Sequence, residues 1–152
     1  MNKKSERGQS LVELAISIVI LLYLLSGAVE FGIAFFQYVQ LRDAAQEGAL
    51  YGSMNPSDVN GITERIKYSS NSPLDLPTAI ANGDVTVDIS IDGVPSTAGG
   101  YASIDCEGHG LEVQVSYTHE VFMPFMCPVF NICEIDLNAS VTDTILSPFT
   151  CT

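Results

Sequence analysis

The side chains that most often carry chemistry are few in this sequence. His109 and His119 are its two histidines, and Cys106 lies three residues before His109. That spacing occurs in metal sites, but no second pair with ligand-like spacing accompanies it, so a chance neighbour is the better interpretation. The sequence also has no glycine-rich phosphate loop, no serine elbow and no Cys/His nucleophile pair in a suitable context. We therefore expect no enzyme, no metal, no cofactor and no small-molecule substrate.

The charges divide the chain into two parts. Residues 1–36 carry three basic and three acidic side chains, whereas residues 37–152 carry three basic against fifteen acidic ones. The whole net charge of −12 therefore lies in the C-terminal part. Such an acidic part argues against nucleic acid as a ligand.

The N-terminal part contains a segment long enough to cross a membrane. Residues 14–29 carry no charge, Glu30 interrupts the run, and apolar residues continue to Phe36. As one helix, residues 14–36 would measure about 34 Å, against about 30 Å for a bilayer core. The basic residues of the first seven positions favour a cytoplasmic N-terminus and an extracytoplasmic remainder. We expect a single-pass protein of the bacterial cytoplasmic membrane.

A carboxyl group at the start of this apolar helix suggests a functional role. Glu13 follows a short basic leader, in the order Arg7-Gly8-Gln9-Ser10-Leu11-Val12-Glu13-Leu14. Charges within or beside a membrane helix are costly and are functional candidates for that reason. The plainer interpretation is that Glu13 extends to the cytoplasmic interface.

This pattern resembles the class III signal sequence of type IV pilin-like proteins, and in detail that of the TadE-like family. The similarity continues through the apolar helix into the alanine-rich stretch Ala44-Ala45-Gln46-Glu47-Gly48-Ala49-Leu50-Tyr51-Gly52. The resemblance implies cleavage by a prepilin peptidase between Gly8 and Gln9. It also implies that the new N-terminus pairs with Glu13 of a neighbouring subunit during assembly.

A second interpretation of the same segment stays open. Small residues at Ser26 and Ala28, after a basic start and an apolar stretch, resemble the cleavage site of an ordinary secretory signal. The mature protein would then begin at Val29. Glu13 and the continuation of the apolar pattern beyond Ala28 argue against it.

Small residues recur at four-residue spacing on the long helix. They are Ala28 with Gly32, followed by Ala44, Gly48 and Gly52. Such faces allow another helix to approach closely, so we expect a packing role or a chance pattern. Glu30 is undecided between a position near the outer leaflet and a pair with a partner's charge.

The remaining sequence predicts a small α+β head. The long helix should end near Gly52, because Asn55-Pro56 follows, and short helices are expected over 58–68 and 76–81. Apolar residues then alternate with polar ones in three segments, 85–91, 111–117 and 135–141, which predicts an antiparallel sheet with one face on the helices. The domains are a leader at 1–8, a long helix at 9–52 and an extracytoplasmic head at 53–152.

Four cysteines lie in the head, at positions 106, 127, 133 and 151. An even number in an oxidising compartment indicates two disulfides, for which three connectivities are possible. We favour Cys127–Cys133 together with Cys106–Cys151. The apolar segment 123–130 between the late strands is either a contact surface for another subunit or a lid over the core.

Two functional classes follow. The first is a TadE-like minor pilin, or pseudopilin, that takes part in assembly of a Tad-type pilus or secretion apparatus with other pilin-like subunits. The second is a signal-anchored or secreted domain that binds an unknown ligand outside the cell.

Overall fold

The computed structural model describes residues 3–95, 107–123 and 126–146. The order of elements is α1 (Lys3–Met54), α2 (Val59–Lys67), α3 (Leu76–Asn82), β1 (Val85–Ile91), β2 (Val94–Pro95), β3 (Gly110–Glu120), α4 (Met126–Phe130) and β4 (Glu134–Thr144). The predicted class is confirmed: a long apolar helix precedes a small antiparallel sheet with short helices. The strand β2 and the helix α4 were not predicted.

The helix α1 has 52 residues, which corresponds to about 78 Å. It starts within the predicted leader and ends two residues beyond Gly52. Within the described residues it is the one helix long and apolar enough to cross a membrane, and its most apolar part is not buried by the protein. This supports a single-pass membrane protein.

The described strands form one antiparallel sheet in the order β2-β1-β3-β4. β3 lies at its centre and pairs along its whole length with β4, from Gly110 opposite Thr144 to Glu120 opposite Glu134. Every second side chain of β3 is directed to the core, as the sequence alternation predicts. The row begins at Leu111 and ends at His119, which is also buried.

The C-terminal half of α1 is the element around which the core is packed. One stripe of its surface is buried against the head, and it comprises Ala34, Gln37, Gln40, Leu41, Ala44, Ala45, Gly48, Ala49, Gly52 and Ser53. The spacing of three and four residues is that of one helix face. The helices α2 and α3 contribute Ile62, Ile66, Leu76 and Ala79, and the sheet contributes the apolar rows of β1 and β3. The head is therefore built around the end of the long helix.

Glycines on this stripe permit the close approach of the head. A methyl group on Gly48 would lie 2.5 Å from Cγ1 of Ile66, and one on Gly52 would lie 2.9 Å from Cδ2 of Leu111. Both distances are shorter than atoms tolerate, so any side chain there would force α2 or β3 away from α1.

The turn from α1 into α2 is held by one carboxyl group. Asp58 caps α2, accepting the Gly61 backbone N–H at 2.9 Å, and the Tyr51 hydroxyl donates to its other oxygen at 2.9 Å. The Gly61 N–H and then the Tyr51 hydroxyl lower the pKa of the Asp58 carboxyl. Because both donors favour the ionised form, the cap is complete at neutral pH and weakens only as the pH falls through this lowered pKa.

The loop between α2 and α3 is tied to α1 by Gln40. Its side-chain amide donates to the carbonyls of Leu74 at 2.6 Å and Ser70 at 3.2 Å, and its oxygen accepts the Leu74 N–H at 2.8 Å. At the other end of the head, the Leu146 N–H donates to the Ser53 carbonyl at 2.8 Å, which fixes the chain after β4. These polar contacts hold the head on the helix.

Replacing Gln40 by leucine should lower the free energy of unfolding of the head by about 1–3 kcal/mol, because backbone groups in a partly buried loop lose their partners. The control is Gln46→Leu, the same change at an exposed position of the same helix. The urea midpoint of the full-length chain in detergent, followed by tyrosine fluorescence, measures both. Equal midpoints for the two variants would contradict this role of Gln40.

Candidate functional site

The N-terminal half of α1 makes little contact with the rest of the protein. From Gly8 to Leu25 every side chain except that of Tyr23 is exposed, and an added methyl group at Gly8 would meet nothing within 4 Å. Gly8, Gln9 and Glu13 all lie in this uncovered stretch. The Ser17 hydroxyl donates to the Glu13 backbone carbonyl at 2.8 Å and not to the Glu13 carboxyl group. The segment is therefore accessible to a protease or to a neighbouring subunit.

The small residues of α1 fall into two groups. Ala44, Gly48 and Gly52 lie on the stripe that packs against the chain's own head. Ala28 is exposed, and an added methyl group at Gly32 would meet nothing within 4 Å. Of these two groups of small residues, only Ala28 and Gly32 lie on a face that is open to another helix.

The described part of the head reaches α1 at Gly27. A methyl group on Gly27 would lie 3.2 Å from Cε of Met123, just beyond the end of β3. One turn further, Glu30 faces the head rather than a partner molecule. Its Oε1 lies 2.9 Å from Nε2 of His119 and accepts the Phe122 backbone N–H at 2.9 Å.

Glu30 and His119 are both shielded from solvent. Their side chains are 12% and 8% exposed, respectively. A carboxyl group buried without partners is strongly unfavourable, and two donors on one oxygen offset that cost. The pair joins residues 89 positions apart and connects the end of β3 to α1. We call this contact the Glu30–His119 junction.

The sequence contains a signal for each residue of this junction. Glu30 interrupts an apolar helix, and His119 occupies a core position in the alternation of β3. Each is a polar residue where the pattern requires an apolar one, and each needs a partner for that reason. The two misplaced residues satisfy each other, but the sequence does not give the register of the head on α1 that brings them together.

The predicted disulfide between Cys127 and Cys133 is confirmed. It closes the segment that contains α4 and leads into β4. The other predicted pair, Cys106 and Cys151, lies outside the described residues. Among the residues that the structure describes, no three His, Cys, Asp or Glu side chains are placed to hold a metal ion.

Comparison with known proteins supports the interpretation of α1. A single-pass protein with a small head on the far half of one long helix has the architecture that the pilin-like resemblance implies. Residues 8–50 match the family model described as TadE-like protein, so the resemblance to the TadE-like family is confirmed over this segment. No curated protein and no solved structure matches the chain. The match begins at Gly8 and lies entirely within α1.

The Glu30–His119 junction predicts a measurable coupling energy. Glu30→Ala and His119→Ala should each lower the free energy of unfolding of the head by about 2–3 kcal/mol, because each leaves the other side chain buried and unpaired. The double variant should be more stable than the sum of the two losses predicts, with a coupling of about 1–3 kcal/mol.

The control for this cycle is Glu64→Ala, which removes an exposed acid from α2. It should leave the urea midpoint near that of the unchanged chain and show no coupling to His119→Ala. Additive losses for Glu30→Ala and His119→Ala would mean that the two side chains do not interact in solution.

Proposed function

We propose that this protein is a TadE-like minor pilin, or pseudopilin, that is processed by a prepilin peptidase and takes part in assembly of a Tad-type pilus or secretion apparatus. The observation that carries the proposal is the match of residues 8–50 to the TadE-like family on a helix whose first half is left uncovered by the protein's own head. A structural role in an assembly explains why the first half of this helix is left uncovered. Without such a role, that half would serve only as a membrane anchor.

Processing is proposed between Gly8 and Gln9. In this proposal the N-terminus is cytoplasmic, in line with the basic residues before Gly8, and the head lies outside the cytoplasmic membrane. A peptidase needs an unobstructed backbone, and Gly8 is exposed with open space around its Cα. Removal of residues 1–8 takes away Lys3, Lys4 and Arg7, which are the basic residues before the apolar segment, and leaves the amino group of Gln9 four residues from Glu13.

Glu13 is proposed as the assembly residue. Its exposed carboxyl group on an apolar helix is costly in lipid, and the ammonium group of Gln9 on a neighbouring subunit would offset that cost. Other pilin-like subunits are the proposed partners, and the face formed by Ala28 and Gly32 is open for close packing against their helices.

The second candidate is a signal-anchored or secreted domain that binds a ligand. It is favoured by the small residues Ser26 and Ala28, which fit an ordinary signal cleavage site. Cleavage there would remove Gly27, whose backbone lies against Met123. It would also discard residues 8–28 of the matched segment 8–50, including Glu13, which is why the pilin proposal is preferred.

Gly8→Leu should block processing, because a bulky side chain would crowd the cleft of the peptidase. Immunoblotting of cells that carry the peptidase should show the longer form of the Gly8→Leu variant and the shorter form of the Gly32→Leu control. Unchanged processing of Gly8→Leu would place the cleavage site elsewhere.

Glu13→Ala should abolish assembly while processing and head folding are retained. The matched control is Asp43→Ala, which removes an exposed acid from the covered half of α1. Recovery of the protein in sheared pili or in pull-downs of the assembly complex measures the effect. Normal recovery of Glu13→Ala, or equal loss for Asp43→Ala, would contradict the assembly role of Glu13.

A further inference from the structure

The uncharged stretch of α1 is too short to cross a bilayer by itself. Residues 14–29 separate the carboxyl groups of Glu13 and Glu30 and measure about 24 Å, whereas a bilayer core is about 30 Å thick. One of the two carboxyl groups must therefore approach the hydrocarbon, or the bilayer must become thinner around the helix. Glu30 is prepared for such a position, because it is buried and its Oε1 has two hydrogen-bonding neighbours.

The head carries an uncharged segment at the same height. Residues 121–133 contain no acidic or basic side chain, and those of them that the structure describes, 121–123 and 126–133, are here called the tip. Glu120 and Glu134 flank the tip and lie directly opposite each other in the β3–β4 register. Two carboxylates side by side favour water, so Glu120 and Glu134 mark the boundary between the part of the head that stays in water and the uncharged tip beyond it.

The tip extends towards the membrane beside α1. Met123 packs on Gly27, which lies 13 residues after Leu14 and thus about 20 Å along the helix from it. That position is still within a core of about 30 Å that starts at Leu14. Phe122 is 91% exposed, which is a large cost in water and a gain in lipid.

An apolar groove lies between α1 and the tip. Its volume is about 450 Å³, and it is lined by Phe31 and Phe35 on one side and by Val121, Met126 and Ile135 on the other. It starts at Gly27, where the exposed membrane segment ends, and is therefore continuous with the lipid-facing surface of α1. Tyr38 lies at its far end, and tyrosine is typical of the membrane–water interface.

We propose that the tip is inserted into the leaflet on the head's side of the membrane and that lipid acyl chains fill the groove. With the tip inserted, the Glu30 carboxyl group lies at the edge of the hydrocarbon, and the Glu30–His119 junction supplies its hydrogen-bonding partner. Glu120 and Glu134 stay in water, and the tip enters to the depth of Gly27, about 5 Å below Glu30 along α1. This proposal concerns the lipid contact of the head and holds whether or not residues 1–8 are removed.

The absence of tryptophan from the sequence allows a direct test. The full-length variant Phe122→Trp is reconstituted into phosphatidylcholine vesicles, and its emission is compared with that in the same lipid with brominated acyl chains. Because bromine quenches only at contact distance, we expect a blue-shifted emission that brominated lipid quenches several-fold. Ile135→Trp, which reports on the groove from β4, should be quenched as well.

The control is Tyr68→Trp, a single tryptophan at the end of α2 that is 63% exposed. It should emit at long wavelength, respond to acrylamide and ignore brominated lipid. Phe122 is exposed, so the tryptophan there does not disturb packing, and a urea midpoint near that of the unchanged chain verifies the fold of each variant.

Two results would overturn the proposal. If Phe122→Trp resembles Tyr68→Trp in emission and quenching, the tip lies in water. If Phe122→Trp is protected from acrylamide but not quenched by brominated lipid, another protein covers the tip. If brominated lipid quenches Phe122→Trp but not Ile135→Trp, acyl chains do not fill the groove, and that part of the proposal is overturned.

Discussion

The carboxyl group of Glu30 is the constraint on which the arrangement of this protein depends. It lies in an apolar helix that continues on both sides of it, and a charge there is tolerated only with partners. His119, near the end of β3, and the Phe122 N–H, two residues beyond that strand, supply them. These contacts require that the central strand lies along α1 with its last residues at the height of Glu30. The buried row of β3, which runs from Leu111 to His119, then covers the helix stripe from Ala34 to Ser53 together with α2 and the loop that follows it.

This position divides the long helix into two halves with different roles. The half beyond Glu30 is part of the core, where Ala44, Gly48 and Gly52 admit α2 and β3 at short distance. The half before Gly27 is left without a protein cover and carries Gly8, Gln9 and Glu13. The similarity to the TadE-like family spans both halves but ends before the head, over residues 8–50. The proposed role in assembly therefore rests on the helix, because the family match does not include the head.

Most of the elements could be predicted because their signals are local. The alternation of Val85, Val87 and Ile89 predicts β1, and Asp58 followed by Val59, Ile62 and Ile66 predicts α2. The two-residue strand β2 and the five-residue helix α4 escaped prediction, because segments of that length have no measurable periodicity. The disulfide Cys127–Cys133 could be chosen because six residues separate the two cysteines.

The junction could not be predicted, for a different reason. Glu30 and His119 are 89 residues apart, and their meeting depends on the height at which the sheet packs on α1. That height results from the whole core, including Gly48 against Ile66 and Gly52 against Leu111. The sequence shows that Glu30 needs a partner, but it does not show whether the partner belongs to the same chain. The roles of Gly8, Gln9 and Glu13 are likewise predictions from a local motif, and the structure adds that these residues are accessible.

The most direct test of the pilin-like account is the N-terminal residue and intact mass of the mature protein from native membranes. The account predicts a chain that begins at Gln9 and lacks the mass of residues 1–8. A chain that begins at Met1 would show that Gly8 is not a processing site. A chain that begins at Val29 would show an ordinary secretory signal, and either of these results would contradict the pilin-like account.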